Sequence, residues 1–159
     1  MRLSFEADPS GGEMTVVPAS ARWLAGAASA VFLVPLLPLA GAYGVGLRLF
    51  LAAVGLLTAA ACAVPVFYRR RDRFRVACAA AGFTVAAVWL PFLVIGLLAV
   101  LSLGGWAWFL AFLFMPVAAI TALIAAFQRA RGPECGRAAV ALGWIAATAS
   151  AVGWFPLAV

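Results

Sequence analysis

Apolar residues fill this chain in long blocks, and a few short polar stretches divide them. The blocks cover residues 23–41, 49–68, 76–101, 106–127 and 138–156. Each is close to the ~20 residues that carry a helix across ~30 Å of hydrocarbon. Residues 76–127 hold no charged side chain. That is too long for one span and predicts two, broken at Ser102-Leu103-Gly104-Gly105. Residues 1–21 mix charges with Pro9, Gly11, Gly12 and Pro18, and predict an irregular tail with a short extended piece at 14–17. The pattern therefore predicts an all-α, polytopic membrane bundle over residues 22–159, with five transmembrane helices.

One stretch admits a second reading. Arg22, the apolar run after it, Pro38 and Ala40-Gly41-Ala42 have the makeup of a signal peptide with a small-residue cleavage site. The acidic tail before them (Glu6, Asp8 and Glu13) argues against cleavage. If residues 1–42 were removed, four spans would remain in unchanged orientation.

Composition agrees with the pattern. Of 159 residues, 67% are hydrophobic and 10% charged, with a mean hydropathy of +1.14; soluble domains run nearer ~45–50% and ~25%. Charge then gives the direction of the spans. Arg69, Arg70, Arg71, Arg73 and Arg75 cluster between the second and third blocks, and Arg129, Arg131 and Arg137 lie between the fourth and fifth. A cation at the bilayer centre costs at least ~2.5–3.5 kcal/mol, and short arginine-rich loops stay cytoplasmic. With five alternating spans, Arg2, Arg22 and both clusters fall on one side and only Arg48 on the other. The N-terminus is expected inside and the C-terminus outside, in a plasma membrane of bacterial inner-membrane type. The net charge of +6 is then read as topology anchors and contacts for anionic lipid headgroups, with no nucleic-acid partner. Trp106, Trp108, Trp154 and Phe155 suit the opposite interface.

Small residues recur at every fourth position on three spans: Gly55, Ala59 and Ala63; Cys78, Gly82 and Ala86; Ala139, Gly143, Ala147 and Ala151. Such stripes let helices approach closely. They predict that Gly143 is buried, with the second or third helix as its neighbour. The third span also changes character along its length, from small residues (VACAAAGFTVAA) to bulky ones (VWLPFLVIGLLAVL).

Reactive chemistry is sparse. The absence of histidine excludes imidazole catalysis and histidine-ligated metals. Cys62, Cys78 and Cys135 form no CxxC pair, and none of the spans carries an ionisable residue of the kind that marks a proton relay. No HExxH, GxSxG or GxxxxGK[ST] motif occurs. Ser29, Thr58, Thr84, Thr121, Thr148 and Ser150 are each expected to bond back to a carbonyl one turn earlier. Pro35, Pro38, Pro65, Pro91, Pro116 and Pro156 are expected to set static bends. No cofactor, metal or catalytic residue is expected. The expected function is that of an accessory, regulatory or protective membrane subunit, packing against a membrane-protein partner or a second copy. The alternative is a transporter or channel component for a neutral or apolar solute.

Overall fold

A computed structural model describes residues 16–34, 45–103, 106–132 and 137–153. It is all-helical among these residues: α1 (Ala19–Leu33), α2 (Val45–Ala63), α3 (Arg71–Leu103), α4 (Trp106–Arg129) and α5 (Arg137–Gly153). Pro35, Pro38, Gly104, Gly105, Cys135, Trp154, Phe155 and Pro156 lie outside the described residues.

Three segments are long and apolar enough to cross a membrane: Leu49–Phe67, Arg71–Ser102 and Phe112–Arg129. The described part of α1 has 15 residues and that of α5 has 17. At ~1.5 Å per residue these are about 22 and 25 Å, short of a full ~30 Å crossing.

The clearest departure from the sequence reading is at the first arginine cluster. Arg71, Arg73 and Arg75 are not in a loop; they form the first turns of α3, which starts five residues before the apolar block. The connection shrinks to a 3₁₀ turn at Val64–Phe67 with Pro65 near its start, followed by Tyr68–Arg70. The physical reason is that arginine is a good helix former, while the acidic Asp72 in the first turn suits the positive end of the helix dipole. With 33 residues, α3 is about 50 Å long, longer than the ~30 Å thickness of a hydrocarbon core.

α1 and α4 make the centre. α1 packs against α4, α2 and α5, whereas α4 packs against α5, α3 and α1. Their shared seam is alanine: Ala21, Ala25 and Ala28 on α1, and Ala118, Ala119, Ala122, Ala125 and Ala126 on α4, are all buried. Without bulk between them the two backbones can approach closely, which is where helix association in lipid gains its dispersion energy. Larger side chains close the bundle around this seam. Phe32 stacks on Trp89 at 5.5 Å between centroids, and Trp89 reaches Phe92 and Phe112 at 6.1 and 6.5 Å. The cluster joins α1, α3 and α4.

Candidate functional site

The arginine end of the bundle is laced together by the segment before and at the start of α1. Val16 forms an isolated antiparallel bridge with Arg70, and Val17 N–H donates to the Arg69 carbonyl at 3.0 Å. This places an extended residue within the piece anticipated at 14–17. Arg71 Nε donates to the Val16 carbonyl at 3.1 Å, and Arg22 Nε donates to the Val66 carbonyl at 2.9 Å. Arg129 Nε reaches Ser20 Oγ at 3.4 Å, which brings the end of α4 to the start of α1. Arg75 and Arg131 each place a guanidinium carbon 4.9 Å from the Phe127 ring centroid, within cation–π range. Arg69, Arg70, Arg73 and Arg137 are exposed. Asp72 is the only acidic side chain among the described residues.

Two grooves flank the small-residue half of α3. The first lies between α2 and α3 and has a volume of about 610 Å³. Its walls are Ala61, Val64, Ala77, Ala80 and Ala81; Tyr68, Asp72 and Arg73 stand at one end and Thr84 near the other. The second, of about 390 Å³, lies between α3 and α4 and is lined by Cys78, Gly82, Ala86, Leu123 and Phe127 among others. Both follow from side-chain size: alanines beside an α-helix leave the volume that leucines would fill.

The three small-residue stripes meet different fates. On α2, Gly55 and Ala59 are buried and Ala63 half-buried. Their partner is α1, because Ser29 Oγ donates to the Ala59 carbonyl at 2.8 Å. On α3, Cys78 is buried, Gly82 half-buried and Ala86 exposed, and a β-carbon at Gly82 would meet nothing within 4 Å. That stripe lines the second groove. On α5, Gly143 and Ala147 are buried and Ala139 is half-buried; the Ala151 side chain lies outside what is described. A β-carbon on Gly143 would stand 3.0 Å from Ala125 Cβ, 3.2 Å from Leu24 Cδ2 and 3.4 Å from Ala122 Cα. Its neighbours are thus α4 and α1, not the second or third helix. A short connection makes α4 and α5 neighbours, which outweighs matching stripes on helices farther along the chain.

Sequence reasoning missed the alanine seam of α1 and α4. The signal was there: Ala21, Ala25 and Ala28 lie four and three residues apart, which puts them on one helix face much like the four-residue stripe of α5. The hydroxyls divide. Thr58, Thr84, Thr121 and Thr148 donate to carbonyls four residues back, at 2.7–2.9 Å, as anticipated. Ser29 does not; it crosses to α2. Ser150 Oγ is buried with no hydrogen-bond partner among the described residues. Comparison with protein-family models, with curated proteins and with solved structures finds no match to this chain.

Proposed function

We propose that this chain is a small integral membrane protein that works by packing against a partner in the bilayer, as an accessory, regulatory or protective subunit. In this reading five helices cross a bacterial plasma membrane, with the N-terminus and both arginine clusters on the cytoplasmic side and the C-terminus outside. Arg69, Arg70 and Arg137 then meet anionic headgroups, and no catalytic step is assigned to the protein. The observation that carries the reading is the exposure of α3. Only 17% of its apolar window is buried, against 44% for α4. Phe83, Leu90, Val94, Ile95, Leu98 and Leu101 are all exposed along it. Lipid alone can cover such a face, but so can a helix of another protein or of a second copy, and α3 offers the longest surface for either.

The test is photo-crosslinking in intact membranes from Phe83, Leu90 and Leu98, with exposed Leu142 on α5 as the comparison site. A discrete adduct from α3 and none from Leu142 supports the subunit reading; a self-adduct makes the partner a second copy. Lipid adducts alone at all four positions would remove it. The runner-up, a transporter or channel component for a neutral or apolar solute, draws on the open groove between α2 and α3. It predicts solute flux in vesicles containing this protein alone.

A further inference from the structure

The groove between α2 and α3 has a direction. Polar groups stand at one end only: Tyr68, Asp72 and Arg73. Thr84, near the other end, has its hydroxyl engaged with the Ala80 carbonyl at 2.9 Å. From Asp72 to Thr84 the groove runs about 18 Å at ~1.5 Å per residue, slightly more than one leaflet of a ~30 Å hydrocarbon core.

Size separates the candidate occupants. A helix ~10 Å across occupies about 1,400 Å³ over that length, more than twice the 610 Å³ on offer. A hydrocarbon chain about 4–5 Å wide, on the ~4 Å contact distance between carbons, needs about 230–350 Å³ over that length. The groove can hold a hydrocarbon chain along its length, whereas a helix would stand largely outside it.

The charges at its mouth refine the choice. Two of the five clustered arginines face elsewhere: Arg71 donates to the Val16 carbonyl and Arg75 lies over Phe127. Arg73 lines the groove beside Asp72, which gives the mouth one guanidinium and one carboxylate. A guanidinium suits phosphate oxygens, and a carboxylate suits a primary ammonium. An opposite-charge pair at the head of an apolar slot matches an amphiphile that carries both groups.

We infer that this groove binds a phospholipid with a primary-amine headgroup: an acyl chain along Ala77, Ala80 and Ala81, its phosphate on Arg73 and its ammonium on Asp72. The inference rests on the reading that the chain spans a membrane with its arginine end at the headgroups. It adds a lipid site to that reading and does not depend on any protein partner.

The experiment is native mass spectrometry of the full chain after lipid exchange. The probes are synthetic lipids with identical acyl chains and ethanolamine, choline or glycerol headgroups. The ethanolamine lipid should be retained best. Arg73→Gln should weaken retention of all three by about tenfold, the loss of one charge-assisted hydrogen bond. Asp72→Asn should abolish the ethanolamine preference and leave the other two unchanged. Ala80→Phe, at an exposed position, should fill the slot and displace every lipid; Ala77→Leu serves the same purpose if that variant does not fold. Equal retention of the three headgroups by the parent protein overturns the charge pairing. Retention that ignores both filling variants overturns the groove. A chain recovered in the soluble fraction would instead defeat the membrane reading beneath it.

Discussion

A β-carbon on Gly143 would approach Ala125 Cβ to 3.0 Å and a Leu24 methyl to 3.2 Å, so a full leucine side chain has no room without moving α1 or α4. Gly143→Leu should therefore cost about 1–3 kcal/mol by overfilling, read as a lowered midpoint of thermal unfolding in detergent. Val140 looks from sequence like the neutral control on another face, but it is half-buried against the core. Exposed Ala141 is the better comparison, and Ala141→Leu should unfold with the parent. Ser29→Ala deletes the only side-chain hydrogen bond described between α1 and α2. It should cost about 1 kcal/mol, within the range for such bonds in membrane bundles; the same unfolding assay would detect it. The two residues differ in how far sequence foresees them. That Gly143 needs a close neighbour follows from its spacing, but which neighbour depends on how the helices are arranged. The threonine bonds are local and could be written down in advance. The Ser29 bond could not, because its acceptor is 30 residues away on another helix.

Hydropathy found all five helices at the level of elements and misplaced several ends. The error at α3 is instructive: an apolar block ends at its last apolar residue, whereas a helix continues as long as its residues favour it. Arg71, Arg73 and Arg75 are therefore helical although no apolar pattern includes them. The grooves beside α3 were half legible. The run of alanines was visible, but an unfilled volume depends on the distance to the next helix, which no single segment encodes. The arginines' proposed task is to hold orientation, so neutralising any one of them should change the inserted orientation little. Replacing Arg69, Arg70, Arg71, Arg73 and Arg75 together with glutamine should give a mixed population of inserted orientations, scored by protease protection. A uniform and unchanged orientation after all five replacements would assign the task to other residues. Arg71→Gln has a further expected effect, since its Nε donates to the Val16 carbonyl: faster amide exchange at Val17.

Orientation itself is a property of the whole molecule. In a cysteine-free background, Val45→Cys and Trp106→Cys should react with an impermeant reagent added outside. Arg70→Cys should react only after permeabilisation, and the reverse pattern would invert the proposed topology. Which helix ends up central was not legible at all. α1 is no more apolar than its neighbours, yet it is buried among α2, α4 and α5. This bears on the alternative that residues 1–42 are a removable signal: cutting there would strip Leu24, Val31 and Phe32 from the core. It also sets an order in time. α1 is synthesised before α4, yet its alanine face closes on α4, and Ser20 meets Arg129 across a separation of 109 residues. At ~5–20 residues per second, the nascent α1 waits about 5–20 s for its partner. Through that interval the alanines that will face α4 are without that partner, although α2 is already in place to pack on α1. A chain truncated after Leu103 should remain in that waiting state and, in a pulse-chase, be degraded faster than the full-length protein. A helix near the start of the chain thus completes its packing only when α4 and then α5 arrive, and the bundle is not closed until α5 has been delivered.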